Sequence, residues 1–101
     1  MIMTEKKSAH YRLDDVKSLV EKNSVRATKA ALNGAAVLGF DFAGMKDVIL
    51  NLDAGDLYKS MTSHADHTIW QDVYHFPSEA GDVYLKLSVV DDVLIVSFKE
   101  L

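Results

Sequence analysis

The chain has 101 residues, enough for one domain with a modest hydrophobic core. Apolar residues make up 49% of it and charged residues 26%, as in ordinary globular proteins. Because it has no cysteine, a disulfide framework and a thiolate zinc site are both excluded. Met1 to Lys7 lacks the apolar stretch of a signal peptide, and no apolar run reaches the roughly 18 residues of a membrane span. We expect a single cytoplasmic domain over residues 1–101.

The net charge of −4 counts against simple nucleic-acid affinity, because phosphate binding normally uses a basic surface. The charge is unevenly distributed along the chain. Residues 1–50 carry eight Lys/Arg and six Asp/Glu, whereas residues 51–101 carry three and nine. The basic residues near the start fit a solvated helix face as well as they fit an RNA-binding surface, so charge alone decides neither way.

Apolar residues at helical spacing predict three helices in the first half of the chain. We predict helices from Leu13 to Lys22, from Thr28 to Leu38, and after Gly44 as far as Asp53–Gly55. Asn23 ends the first helix, Thr28 caps the second, and Gly39 stops the second. Val25–Thr28 is predicted to be a short extended piece.

After Gly55 the apolar period changes from helical spacing to the alternation of strands. We predict strands at Leu57–Thr62, Thr68–Phe76, Val83–Val90 and Val93–Lys99, with a loop over Pro77–Asp82. Helices followed by strands predict an α+β fold. We expect an antiparallel sheet formed mainly by the C-terminal half, with the N-terminal helices packed on one of its faces.

The segment VVDDV (89–93) is typical of a hairpin with a two-residue turn at 91–92. If the residues that flank the turn pair with each other, Tyr84 lies opposite Lys99 and Lys86 lies opposite Ser97. The reverse face is then wholly apolar, as a core-facing side should be. Its members are Val83, Leu85, Leu87, Val89, Leu94, Val96 and Phe98.

The same register extends to the preceding strand if Phe76 pairs with Val83. Gln71 then shares a sheet face with Tyr84 and Lys99, and we expect these three side chains to converge, because cross-strand neighbours lie about 5 Å apart. The other face of this strand is predicted to point into the core. It carries Trp70, Tyr74 and Phe76, with Asp72 among them in need of a partner.

These residue types suit the cleavage of RNA by its own 2′-hydroxyl. An enzyme must then remove one proton, stabilise charge on phosphorus and protonate the leaving oxygen. The structural alternatives are that lysines protect exposed sheet faces and that tyrosine packs well in strands. The pattern leaves Lys59 unplaced.

Four segments carry a resemblance to a known family: DLYKSM (56–61), DHTIWQDVY (66–74), GDVYLK (81–86) and DVLIVSFKE (92–100). Together with weaker similarity in RLDDVKSLV and LGFDFAGM, they resemble the MqsR-like mRNA interferase toxins, which are RelE-like endoribonucleases of bacterial toxin–antitoxin pairs. The resemblance covers nearly the whole chain. It implies a RelE-like fold, growth inhibition, and metal-independent cleavage of mRNA at short GC-containing sites.

The resemblance also implies the site. Four residues match the catalytic positions of that family: Lys59, Gln71, Tyr84 and Lys99. Three more are assigned to substrate binding: Met61, His10 and Lys86. We expect the catalytic lysines to stabilise phosphate charge, the glutamine to orient the substrate, and the tyrosine to stack on a base or transfer a proton.

No cofactor and no metal are expected. His64-x-x-His67 with Asp66 lacks further ligands at recognisable spacing, and these residues are expected to order a loop. The resemblance implies two partners, mRNA and a cognate antitoxin with zinc-binding and helix-turn-helix regions, without direct DNA binding by this chain or contact with a membrane. The alternative is a non-catalytic interaction module that binds a protein or RNA partner.

Overall fold

Three helices precede the long strands in the computed structural model, which describes residues 4–101. They are α1 (Leu13–Glu21), α2 (Lys29–Val37) and α3 (Phe42–Leu50). The first two confirm the prediction. Asn23 has a left-handed backbone just after α1 (φ 61°), and the Thr28 hydroxyl accepts a hydrogen bond from the Ala31 amide at 3.0 Å. Gly39, with φ 85°, ends the turn after α2. No helix within the described residues is long and apolar enough to cross a membrane.

The predicted start of the third helix was wrong. Helix α3 begins at Phe42, before Gly44, because the Asp41 carboxylate accepts a hydrogen bond from the Gly44 amide at 2.8 Å and caps the first turn. The helix ends at Leu50, and Ala54–Asp56 forms a separate 3₁₀ turn that leads into the sheet.

Within residues 4–101, six strands form one sheet. They are β1 (Glu5–Lys6), β2 (Val25–Ala27), β3 (Leu57–Thr62), β4 (Trp70–Ser78), β5 (Gly81–Val90) and β6 (Asp92–Glu100). Their spatial order is β1-β3-β4-β5-β6-β2, and every pair is antiparallel except β2 with β6. This confirms the α+β prediction, with two short edge strands from the N-terminal half added to the sheet.

The helices pack against one face of the sheet. The core contains Val16, Val20, Ala31, Met45 and Ile49 from the helices, and Tyr74, Val83, Leu85, Leu87, Ile95 and Phe98 from the strands. Helix α2 approaches β6 so closely that a Cβ built on Gly34 would lie 2.1 Å from the Phe98 carbonyl oxygen. The glycine therefore sets how near α2 can come to the strand.

The β5–β6 hairpin differs from the prediction at its tip. Val90 pairs with Asp92 around Asp91, which has φ 67°, so the turn is one residue shorter than predicted. The ladder shifts between Lys86 and Leu87, where Val96 is the extra residue of a β-bulge. Beyond the bulge the predicted pairs Tyr84–Lys99 and Lys86–Ser97 are present.

This bulge also changes which β6 residues face the core. Leu94 and Val96 were predicted to be buried, but both are only partly buried. Val93 and Ile95 take their place and are fully buried. A one-residue shift exchanges the two faces of a strand, so the apolar residues of a strand that is apolar on both sides do not reveal the register.

The predicted loop over Pro77–Asp82 was too long. Strand β4 continues to Ser78, which pairs with Gly81, so only residues 79–80 turn. Phe76 pairs with Val83, as predicted. Proline is tolerated within β4 because β3 pairs with β4 only as far as Tyr74, which leaves the other edge of Pro77 without a strand partner.

Candidate active site

The sheet face that points away from the helices, which we call the open face, carries most of the residues predicted to act on RNA. Residues directly opposite each other in an antiparallel ladder point to the same side of the sheet. The ladder places these residues on the open face: Lys59, Met61, Gln71, Val73, His75, Tyr84, Lys86, Ser97 and Lys99. All four predicted catalytic residues thus lie on one surface, together with Met61 and Lys86.

Lys59, which the sequence pattern could not place, lies on β3, across β4 from the β5 residues of the site. It pairs with Val73 of β4, and Val73 pairs with Lys86 of β5. Their backbones are therefore two strand spacings apart, about 10 Å. Val73 between them is fully buried and forms the floor of the open face. Two long, flexible lysine side chains at this separation can reach one phosphate group.

Gln71 and Met61 lie further along the same face. They pair directly with each other across β4 and β3. Gln71 is two residues from Val73, about 7 Å along the strand. The glutamine amide therefore lies at the end of the open face nearer β1, next to Lys59 and Lys86. It is apart from the Tyr84–Lys99 pair, so the three residues share a face but do not converge as predicted.

Two aromatic residues that were not assigned to the site extend it on the other side. The Tyr58 ring stacks on His75 with centroids 4.3 Å apart and planes at 16°. His75 in turn pairs with Tyr84, at a centroid distance of 6.0 Å. Tyr58 reaches the open face because β3 has a register shift between Leu57 and Lys59. No alternating pattern could have predicted that shift, although an aromatic residue next to Lys59 was a visible signal.

Lysine ammonium groups lie over these rings. Lys7 and Lys59 are 5.3 and 5.6 Å from the centre of the Tyr58 ring, and Lys99 is 5.2 Å from that of Tyr84. Such cation–ring contacts hold the ammonium groups near the face without removing their charge. The open face is therefore locally basic in a chain whose net charge is −4.

The lysines have different electrostatic surroundings. Burial, reinforced by the positive charges of Lys99 and Lys59, lowers the pKa of Lys86. The pKa of Lys59 is raised, chiefly by a hydrogen bond to the Glu5 carboxylate with Nζ to Oε1 at 2.6 Å. Lys86 is thus the lysine that gives up a proton more readily, whereas Lys59 is held as an ammonium.

His10 does not join this group. Its ring stacks on Trp70 at 4.9 Å, and the Lys6 ammonium lies 3.1 Å from His10 Nδ1 and 4.3 Å from the centre of the Trp70 ring. Trp70 alternates with Gln71 along β4, so its side chain points to the other side of the sheet. The prediction that Trp70 is a core residue was wrong, since it is partly exposed and lies outside the core cluster.

Asp72, which was predicted to need a partner, is bound by the segment before α1 (residues 4–12), which we call the N-terminal arm. The carboxylate is fully buried and accepts hydrogen bonds from the amides of His10 and Tyr11, at 3.0 and 2.9 Å. These two backbone hydrogen bonds offset the cost of burying the carboxylate away from water. Asp72 therefore fixes the arm against the strand that carries Gln71.

The loop before β4 is ordered by Asp66, as predicted. Its carboxylate accepts hydrogen bonds from the Thr68 amide and hydroxyl at 2.9 and 2.6 Å. Within residues 4–101, no three His, Cys, Asp or Glu side chains are grouped so that they could hold a metal ion.

The fold is that of a small α+β domain like the RelE-like toxins, with helices on one sheet face and basic, amide and phenol groups on the other. Residues 8–100 match the family described as the motility quorum-sensing regulator, toxin of MqsA. The mRNA interferase toxin MqsR of Escherichia coli (strain K12) is 56% identical over 96 residues, which cover 95% of this chain and 98% of that protein. The chain belongs to the MqsR toxin family, which confirms the resemblance seen in the sequence.

Proposed function

We propose that this MqsR-family toxin is a metal-independent endoribonuclease that cleaves mRNA on its open face at short GC-containing sites. The observation that carries the proposal is the placement of Lys59 and Lys86 on either side of Val73, with the Tyr84–Lys99 pair beside them. Its homologue from E. coli, 56% identical, is named an mRNA interferase toxin.

The proposed reaction is transesterification. The 2′-oxygen of the nucleotide before the cut forms a bond to phosphorus, the bond from phosphorus to the 5′-oxygen breaks, and a 2′,3′-cyclic phosphate is left. One proton leaves the 2′-hydroxyl, and one is added to the departing 5′-oxygen. The two products are therefore a cyclic phosphate end and a 5′-hydroxyl end.

The lysines oppose the negative charge that grows on the phosphate oxygens in the transition state. Lys59, whose pKa is raised, is suited to a permanent positive charge. Lys86, whose pKa is lowered, is the better proton donor and is assigned to the leaving 5′-oxygen. Lys99 adds charge from the far side of Tyr84, and Gln71 uses its amide to orient the substrate.

The aromatic row of Tyr58, His75 and Tyr84 supports binding of single-stranded RNA. Unpaired bases stack on aromatic side chains, whereas bases within an RNA duplex present only a shallow groove. We therefore assign the row to bases next to the cut. Met61 contacts the substrate near Gln71. His10 lies with Trp70, away from the open face, and its contact with the substrate remains a prediction.

As a toxin of this family, the chain pairs with an antitoxin. We propose that the antitoxin carries zinc-binding and helix-turn-helix regions, and that DNA contact belongs to the antitoxin. Because the proposed substrate is mRNA, we place the activity in the cytoplasm, where cleavage inhibits translation and growth.

One observation favours a second candidate, a non-catalytic interaction module. Residues 51–101, which supply most of the open face, carry three basic and nine acidic residues. The three basic residues all lie on the open face, so it is the acidic surface outside that face that suits a protein partner better than RNA. For this candidate, binding to protein persists at high salt and RNA stays intact.

The experiment that decides is cleavage of a long mRNA in the presence of EDTA, with cut positions mapped by primer extension. Wild-type protein and the Lys29→Ala control, which alters an exposed lysine at the start of α2, should cut at the same short motif. Lys59→Ala should cut the same motif about a hundredfold more slowly. Intact RNA with well-folded wild-type protein would reject the proposal.

A further inference from the structure

Glu5 places a carboxylate on the open face. Strand β1 has only two residues, and its register puts Glu5 opposite Met61, which in turn lies opposite Gln71. Glu5 is therefore on the same side of the sheet as the proposed catalytic residues. Its Oε1 lies 2.6 Å from Nζ of Lys59.

The chain around Glu5 is held on both sides. The Thr4 amide donates to the Thr62 hydroxyl at 3.0 Å, and the Thr62 amide donates to the Thr4 carbonyl oxygen at 2.9 Å. Further along the arm, Asp72 accepts the two amide hydrogen bonds of His10 and Tyr11. The carboxylate is thus delivered to Lys59 by an anchored backbone and not by a loose tail.

Lys59 differs in this respect from the other lysines of the site. The salt bridges within residues 4–101 are Glu5–Lys59 and Arg26–Asp92, so neither Lys86 nor Lys99 has a carboxylate partner in the described part of the chain. The side chains of Lys59 and Glu5 are 22% and 45% exposed, so an incoming phosphate can reach them. An anion that binds Lys59 must compete with the carboxylate already there.

We propose that Glu5 competes with RNA for Lys59: its carboxylate binds the Lys59 ammonium in the free toxin and is displaced by the RNA phosphate. The inference rests on the proposed function, which assigns Lys59 to the phosphate. Glu5 then sets the affinity for RNA, because the phosphate gains Lys59 only at the cost of the existing ion pair. A role for Glu5 as the base that takes the 2′-proton is disfavoured, since the hydrogen bond from Lys59 lowers the pKa of Glu5.

The test compares Glu5→Gln with the matched control Glu21→Gln, which removes the same charge from the end of α1, on the helix side of the sheet. The first measurement is the Kd for a 2′-fluoro RNA, which lacks the attacking hydroxyl. Glu5→Gln should lower this Kd by about twofold to fivefold, the range for an exposed ion pair. Its KM on cleavable RNA should fall and kcat/KM should rise by the same factor, because the competition acts on the free enzyme. Glu21→Gln should match the wild type.

The double variant Glu5→Gln/Lys59→Met shows whether the effect passes through Lys59. The gain in affinity from Glu5→Gln should vanish when Lys59 is already replaced. An unchanged Kd in Glu5→Gln, an equal gain in the Lys59→Met background, or a kcat lowered more than tenfold would each overturn the inference. If wild-type protein cuts RNA, these results reject the role of Glu5 alone. If it neither binds nor cuts RNA, the proposed function fails with it.

Discussion

Lys99 lies directly opposite Tyr84 in the β5–β6 ladder, with its ammonium 5.2 Å from the centre of the tyrosine ring. This relationship depends on the bulge at Val96. Without that extra residue, the register at the hairpin tip would continue along the strands and place Phe98 opposite Tyr84. Lys99 would then point towards the core. The bulge therefore places Lys99 on the open face and Phe98 in the core.

Alanine at Lys59 or Gln71, and phenylalanine at Tyr84, should each reduce cleavage without unfolding the protein. We expect a loss of about a hundredfold in kcat for Lys59→Ala, by analogy with the removal of one oxyanion donor. Lys59 and Gln71 are only partly buried, so thermal unfolding should stay near that of the wild type. Rates from single-turnover cleavage and melting curves check this.

Lys29→Ala serves as the matched control for a lysine outside the site. A comparable loss of rate in that variant would indicate that overall charge, and not the open face, controls activity. A large drop in melting temperature for all three site variants would instead give these residues a structural role.

As pH rises, RNA binding should begin to weaken at a lower pH than the one at which an ordinary lysine loses its charge. The pKa of Lys86 is lowered by burial and by the positive charges of Lys99 and Lys59, so its charge is lost at a lower pH than that of an unperturbed lysine. Lys86→Arg keeps its charge throughout. Loss of one charge-assisted hydrogen bond should weaken binding by about tenfold.

The measurement is the Kd for 2′-fluoro RNA from pH 7 to pH 10 in the wild type and in Lys86→Arg. Ionisation of the bases affects both proteins alike, so the difference between the two curves belongs to Lys86. Parallel curves would show that Lys86 does not contact the phosphate. Lys29→Arg should follow the wild-type curve.

Asp72→Asn should destabilise the fold and loosen the arm. The side-chain oxygen of the asparagine can accept one of the two hydrogen bonds from the His10 and Tyr11 backbone amides. Its NH₂ group would face the other donor. We expect a loss of about 2 kcal/mol in the free energy of unfolding. Urea denaturation gives that value, and faster hydrogen exchange at the His10 and Tyr11 amides would locate the change.

Ser60, on the neighbouring strand β3, is also buried but, within the described residues, lacks the side-chain hydrogen bonds that Asp72 has. It lies directly opposite Asp72 and is fully buried, yet its hydroxyl has no hydrogen-bond partner among residues 4–101. Ser60→Ala should therefore change the free energy of unfolding by less than about 0.5 kcal/mol, or raise it. A loss as large as that of Asp72→Asn would mean that the Ser60 hydroxyl does have a partner in solution.

Gly34→Ala should destabilise the protein by about 1–3 kcal/mol, because the added methyl group meets the Phe98 carbonyl oxygen. The same methyl would lie 3.4 Å from Cβ of Lys99, so the displaced strand should also cut RNA more slowly. Gly55→Ala, where nothing lies within 4 Å, is the control and should be nearly neutral. Equal unfolding free energies for the two variants would contradict the close approach of α2 to β6.

Much of the site followed from alternation along the strands. The pairing of Phe76 with Val83 was predictable because apolar residues on paired strands must share the core face. The pairing of Tyr84 with Lys99 was predicted correctly because the extra residue at Val96 offsets a turn that is one residue shorter than predicted. The helix ends at Asn23 and Gly39 followed from residues that tolerate a left-handed backbone. Lys59 could be assigned only through the family resemblance, since β3 has no clear alternation.

The remaining features depend on contacts between distant parts of the chain. Glu5 reaches Lys59 through a two-residue strand, too short for any periodic pattern. Tyr58 and Val96 sit at register shifts, which reverse the faces that alternation would predict. Trp70 resembles a core residue in sequence, but the arm covers it with His10 and Lys6 instead of with the helices.

The most direct test of transesterification on the open face uses an RNA with one cleavage site, in which the nucleotide before the cut carries a single 2′-deoxy substitution. We predict that the unmodified RNA yields 2′,3′-cyclic phosphate and 5′-hydroxyl ends in the presence of EDTA, and that the substituted RNA binds but stays intact. Continued cutting of the substituted RNA, or products with 5′-phosphate ends, would contradict the account.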